Sequence, residues 1–159
     1  MRAGVVGDIH GNYSGLAKAL QEMGRVDELI FTGDGYREIA RLEAESGVKV
    51  VGVVGNCDFY SEFAKDCFFS YGASRIFLTH GHIYGVKQGL TRIALAGQSR
   101  GADLVIFGHT HLPLDDLWQN VRLFNPGSLS VERSVGGQSY GVIEFDCGAI
   151  HTRLCRFKA

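Results

Sequence analysis

The chain has 159 residues, with 16 Lys and Arg against 17 Asp and Glu, a formal net charge of −1 and 45% hydrophobic content. That length predicts one domain over residues 1–159 whose core needs no disulfide or metal staple, and the balanced charge excludes both a disordered chain and one that grips nucleic acid by charge alone. Glycine is the outlier, with 22 residues against two prolines, which points to tight turns and close backbone approaches.

No apolar run approaches the roughly 18 residues of a membrane span, and residues 1–6 are too short for the core of a secretory leader. Cys57, Cys67, Cys147 and Cys155 show no CxxC spacing, so a reducing cytoplasm is expected.

In chain order, residues 3–6 read as a strand, and Leu16, Ala19, Leu20 and Met23 follow at helical spacing. Residues 29–31 give a second strand, Ile39, Leu42 and Glu43 a second helix, and residues 48–54 a third strand. The aromatic group Phe59, Tyr60, Phe68, Phe69 and Tyr71 reads as core, with a cleft rim or a contact to a second copy of the chain as alternatives. Residues 75–78 form a fourth strand, Leu90, Ile93, Ala94 and Leu95 a third helix, and residues 104–107 a fifth strand. Runs rich in Val, Ile and Phe are strands buried on both faces, and their alternation with helices predicts an α/β architecture. After Pro113 the helices stop. Residues 114–118, 121–124, 140–145 and 150–157 read as strands with tight connections, predicted to build a second sheet in the same domain.

Each of the five apolar runs is followed by a glycine adjoining metal-ligand side chains: Gly7-Asp8-Ile9-His10, Gly33-Asp34, Gly55-Asn56-Cys57-Asp58, His80-Gly81-His82 and Gly108-His109-Thr110-His111. Ligands of α/β sheets bind beyond the carboxyl ends of the strands, so five such ends bring these groups to one place. Five of the six histidines fall in these motifs. Imidazole, carboxylate and amide oxygen form a mixed set suited to Mn²⁺, Fe, Zn²⁺ or Ni²⁺, unlike the thiolates of closed structural zinc.

In their order the motifs D-x-H, G-D, G-N-x-D, H-G-x and G-H-x-H, at Asp8 and His10, Asp34, Asn56 and Asp58, His80, and His109 and His111, resemble the calcineurin-like metallophosphoesterase superfamily. The short length, the Gly55–Asp58 variant and the Asn125-Pro126-Gly127-Ser128 turn look most like its small phosphodiesterases, relatives of the retromer scaffold subunit. The resemblance implies a four-layer α/β/β/α sandwich of two mixed sheets. It implies two divalent ions, most readily Mn²⁺, one held by Asp8, His10, Asp34 and His111 and the other by Asp34, Asn56, His80 and His109, with Asp34 bridging. A hydroxide between ions about 3.5–4 Å apart would attack a small phosphodiester, with nucleic acid entering only as substrate. A non-catalytic, protein-binding scaffold of the same fold is the alternative, in which ligand positions decay; here all seven are filled.

Taken singly, Asp8 reads as a cap for the helix after Asn12 and Asp34 as a turn residue; the ordered motifs override both. His82 reads either as a general acid or phosphate ligand, or as a donor holding a neighbouring carbonyl. Asp58 precedes residues 59–65, where capping a local helix competes with a catalytic role. Cys57 stands where many relatives carry histidine; a thiol lacks the second nitrogen that Asp58 could orient, so it reads as a small packing group beside the site rather than a nucleophile. Arg133 is a candidate phosphate contact, with Glu132 in place of the family's proline. His151 reads as a surface or sheet-packing residue. Ser128 lacks the strand-to-helix elbow of a serine hydrolase.

Overall fold

The computed structural model describes residues 1–157 as ten strands, three α-helices and a 3₁₀ turn. In the first sheet β1 (Arg2–Val6), β2 (Glu28–Phe31) and β3 (Val50–Gly52) run parallel, connected by α1 (Tyr13–Met23) and α2 (Tyr36–Ser46). In the second, β5 (Ser74–Thr79), β6 (Leu104–Ile106) and β8 (Val121–Asn125) run parallel, with α3 (Thr91–Ser99) between β5 and β6. Antiparallel β4 (Asp66–Tyr71) and β7 (Leu114–Trp118) flank that sheet on either side. The chain then returns to the first sheet: β9 (Ser139–Asp146) lies antiparallel to β1, and β10 (Ala149–Arg156) forms the edge.

The period of two explains the layers. Ala3, Val5, Ile30, Ile76, Leu78, Leu104, Ile106, Phe124, Ile143 and Phe145 point between the sheets and form one buried cluster. Their neighbours Val6, Leu29 and Phe31 point the other way, against Leu16, Ala19, Met23, Ile39 and Leu42 of α1 and α2. On the far side Phe77, Val105 and Leu123 meet Ile93 and Ala94 of α3. The result is the expected four-layer α/β/β/α sandwich, and it accounts for strands that are apolar on both faces. Leu20 is partly buried against the cluster of α1 and α2, whereas Glu43 and Leu95 lie outside the helices' buried stripes and are exposed.

Three expectations are corrected. The carboxyl-terminal strands do not make the second sheet by themselves. Only β7 and β8 join it, whereas β9 has Tyr140 and Val142 facing the helices and Ile143 and Phe145 facing the other sheet, a pattern that requires a place inside the first. Residues 66–71, read within an aromatic group, form β4. No helix follows Asp58: Tyr60 has φ +69, which a helix excludes, and Ala64 bridges Val53 at the edge of β3.

Candidate metal centre

All three parallel strands of the first sheet and both β5 and β6 of the second end at one rim of the sandwich, and each delivers its motif there. Beyond β1, Asp8 Oδ1 lies 3.1 Å from His111 Nε2 and 3.8 Å from His10 Nε2, and the two imidazole nitrogens are 3.3 Å apart. Beyond β2, Asp34 Oδ2 stands 3.8 Å from His10 Nε2 on one side and 3.5 Å from His80 Nε2 on the other. Asn56 Oδ1 is 3.1 Å from His80 Nε2, and a donor nitrogen of His109 lies within 4.8 Å of those of Asp34 and His80. All seven expected donors therefore lie at this rim, Asp8, His10 and His111 in one cluster and Asp34, His80 and His109 in another, with a third cluster of His10, Asp34 and Cys57 between them.

The backbone is bent to bring them there. Eight non-glycine residues among those described have positive φ, and five are Asp8, His10, Asp34, His109 and His111. Such conformations persist only where the surroundings impose them, at a cost of order 1–3 kcal/mol each. Glycines at two of the strand ends make room for protein. A Cβ on Gly55 would overlap the Asp34 carboxylate, and one on Gly7 the Thr32 hydroxyl, so the space they leave is filled by neighbouring side chains rather than by ligand.

Hydrogen bonds fix the donors. His80 Nδ1 donates to the Thr32 carbonyl at 2.8 Å and His111 Nδ1 to the Arg133 carbonyl at 3.2 Å, which aims each Nε2 inward. Asp8 accepts from the His109 amide at 2.8 Å through Oδ2, and Asp34 accepts from the Cys57 amide at 2.7 Å. Thr32 and the Arg133 main chain are invisible to sequence motifs because they act through backbone carbonyls, which no side-chain pattern encodes.

The donor set suits cations. Asp8 Oδ1 is buried with no hydrogen-bond partner, an expensive state for a carboxylate oxygen. His80 faces oxygen acceptors at both nitrogens, an arrangement that demands either an imidazolium or a cation at Nε2. Burial opposes a charged His80, but hydrogen bonding to Asp34 and the charges of Asp8 and Asp34 outweigh it and raise its pKa. Burial likewise pushes Asp34 up, yet His80 and the Cys57 amide hold its carboxyl below the usual range. His109 is pushed down to about 4, by burial first and His80 second, and His10 is lowered chiefly by burial, so both present neutral nitrogens. Neutral imidazoles around two carboxylates are what a divalent ion requires.

The three remaining candidates adjoin these donors, Cys57 with its thiol within 4.8 Å of ligand atoms of His10 and Asp34. His82 opens the 3₁₀ turn His82–Tyr84; its ring is 5.3 Å from that of His80 and 6.0 Å from that of His109. Its Nδ1 is buried without a partner, so it holds no neighbouring carbonyl through that atom, and burial lowers its pKa. Cys57 is exposed rather than packed, accepts from Asn56 Nδ2 at 3.3 Å, and has its thiol pKa raised by burial and by Asp34. Asp58 does cap a helix, but a distant one. Its carboxylate accepts from the amides of Asp34, Gly35, Tyr36 and Gly55 at 2.8–2.9 Å, at the entrance to α2. Ser128 Oγ is buried and donates to the Asp8 carbonyl at 2.7 Å, a structural contact, and His151 is exposed on β10.

Two cavities flank the centre and both include His10 and Gly11. One, of about 280 Å³, is completed mainly by Asp34, Tyr36, Arg37, Glu38, Cys57 and Phe59; the other, of about 270 Å³, by Asn12, Ser130, Val131, Glu132 and Arg133.

Residues 1–148 match the calcineurin-like phosphoesterase superfamily domain. Among curated proteins, the probable metallophosphoesterase YsnB of Bacillus subtilis is 31% identical, the match covering 94% of this chain and 88% of that protein. Phosphodiesterase YfcE of Escherichia coli K12 is 30% identical over 87% of this chain and 85% of its own length. Among solved structures, a predicted phosphoesterase of Streptococcus pneumoniae TIGR4 superposes with a TM-score of 0.82 at 25% identity, covering 98% of this chain and 88% of that one. A Vps29 variant from Entamoeba histolytica shares the fold, at a TM-score of 0.75 and 20% identity over 99% of this chain and all of its own. With its five motifs gathered at one rim of the sandwich, the chain belongs to the calcineurin-like phosphoesterase superfamily.

Proposed function

We propose that this protein hydrolyses phosphodiesters with a pair of divalent ions, one held by Asp8, His10, Asp34 and His111 and the other by Asp34, Asn56, His80 and His109. The observation that carries this reading is Asp34, whose carboxylate stands between His10 and His80 where the two groups of donors meet. Mn²⁺ best suits the mixed nitrogen and oxygen donors, ahead of Fe, Zn²⁺ or Ni²⁺. Ions there supply Lewis acidity, lowering the pKa of water and neutralising charge on phosphoryl oxygens.

The chain's own residues supply the rest. Asp34 offsets the repulsion between two dications, while neutral imidazoles keep the centre positive toward an anionic ester. The Thr32 and Arg133 carbonyls hold the tautomers of His80 and His111. His82, beside both His80 and His109, is the side chain placed to donate to a phosphoryl or departing oxygen. Cys57, its thiol raised, stays neutral beside the anion. Asp58 contributes by holding the Asp34 loop, its oxygens being occupied by amides. A diester is favoured over a monoester because a cavity on each side of His10 accommodates an ester arm, and because a relative covering most of the chain is named as a phosphodiesterase. Seven filled donor positions speak against the scaffold alternative. Four cysteines free of disulfides support a reducing compartment, the cytoplasm.

Chelated protein should lose hydrolysis of bis(p-nitrophenyl) phosphate and regain it with Mn²⁺, elemental analysis giving two ions per chain. Full activity after verified metal removal, or saturation at one ion per chain, overturns the proposal.

A further inference from the structure

The two cavities beside the metal centre are unlike in chemistry. The one formed with Asn12, Ser130, Glu132 and Arg133 is largely polar. The other carries an aromatic side chain, Phe59, on its wall, next to Cys57 and opposite the first turn of α2, where Arg37 and half-buried Glu38 stand. Phe59 is 76% exposed and packs into neither sheet nor helix layer, so the fold does not account for it. Tyr60, 93% exposed, has φ +69, a left-handed residue immediately after Phe59 of the cavity lining. Asn56, a candidate ligand, lies three residues before Phe59, so the turn that supplies a donor to the metals also supplies an aromatic face beside them.

We propose that this cavity is a subsite for one ester arm of the substrate, that the arm carries a flat aromatic ring stacked on Phe59, and that the second, polar arm lies toward Arg133. The inference rests on the phosphodiesterase reading and specifies which diesters that site prefers. At about 280 Å³ the cavity lies just below the roughly 300–1,000 Å³ of sites for whole small molecules, large enough for a single ring and its sugar or linker and too small for a folded polymer. Stacking on an exposed aromatic is worth roughly 1–3 kcal/mol per base and tolerates any planar π-system, so the ring is either a nucleobase or an aryl group. Glu38 and Arg37 offer an acceptor and donors at the ring's edge, which a nucleobase or its ribose can use and a phenyl ring cannot.

Binding to Mn²⁺-loaded protein, measured by calorimetry with adenosine 5′-monophosphate, phenyl phosphate and ribose 5-phosphate, tests this without turnover. The two ring-bearing esters should bind about tenfold more tightly than ribose 5-phosphate, tenfold being 1.4 kcal/mol. Phe59→Ala should remove that advantage and Phe59→Tyr retain it; an exposed side chain makes both variants safe for the fold. A gain confined to adenosine 5′-monophosphate that Phe59→Ala removes identifies the ring as a nucleobase, and an equal gain for phenyl phosphate identifies a general aryl site. Equal binding of all three, or an advantage that survives Phe59→Ala, overturns the subsite. If the ring preference is present and no diester is hydrolysed, the subsite stands and the phosphodiesterase reading falls; if diesters are hydrolysed without the preference, the subsite falls and the phosphodiesterase reading stands.

Discussion

Replacing Asp34 with Asn removes one negative charge from beside both His10 and His80, so under the proposed two-ion centre both ions would be held more weakly at once. A loss of about 10²-fold or more in kcat/KM for bis(p-nitrophenyl) phosphate is expected, since metal charge stabilisation is worth several kcal/mol. His82→Ala should lose less on the same ester, because p-nitrophenolate departs with little need of a proton. Equal losses with metal retained in both variants would contradict this ordering. Cys57 gives a sharper test. Its thiol pKa is raised by burial and by Asp34, and a thiol cannot be oriented as a ring can, so departing alkoxides receive poor assistance from this position. Cys57→His should therefore quicken esters with poor leaving groups and flatten the dependence of kcat/KM on leaving-group pKa, by up to the ~10²–10⁴-fold of positioned acid catalysis. A slope already shallow in the unsubstituted protein would assign proton donation to His82. His109 makes a prediction for stability. Its pKa is about 4 in the folded chain against an ordinary value of 6.5, so between those values the unfolded chain binds the proton and the folded chain does not. His109 therefore withdraws stability from the metal-free protein on acidification through that window, against the opposite contribution of His80, whose pKa is raised, and His109→Gln should show a smaller fall in Tm from pH 7 to pH 5 than the parent. An identical fall would mean that His109 does not titrate as its burial requires.

At the scale of elements, Asp58 stitches the loop after β3 to the start of α2 through four amides. An unsatisfied buried donor costs about 1–3 kcal/mol, and these four are partly reached by water, so Asp58→Ala should lose roughly 3 kcal/mol in all. That corresponds to a fall of about 6–12 °C in Tm at 2–4 °C per kcal/mol, with Asp58→Asn losing less because one acceptor oxygen remains. A thermal melt within about 2 °C of the parent, less than one kcal/mol, would show the amides to be satisfied otherwise. The sequence announced this carboxylate as a cap and misplaced its helix, because a side chain's partner across the chain leaves no local signature. The same limit governs the strands. Those apolar on both faces were plain in the one-dimensional pattern. β4 was not, since Asp66–Tyr71 lies at an edge with one face partly open, and its aromatics Phe68, Phe69 and Tyr71 do not separate edge from core. The five motifs, by contrast, were legible because each joins a buried strand to residue types that ligate metals.

For the whole molecule, the division of the last four strands between two sheets was beyond the sequence, since periodicity tells how many faces a strand buries and not which neighbour it takes. That division also sets a clock. Arg2 pairs with Glu144 across β1 and β9, 142 residues apart along the chain, and His10 meets His111 across 101. Pairings this distant are slow to form, because the loop must close before any contact rewards it. A ribosome adding ~5–20 residues per second leaves β1 without its antiparallel neighbour for on the order of ten seconds, with the backbone edge of its apolar residues 3–6 exposed. The first carboxylate of the metal centre waits for its imidazole partner over most of the same interval, so no ion can be captured by Asp8, His10 and His111 together until two thirds of the chain has emerged.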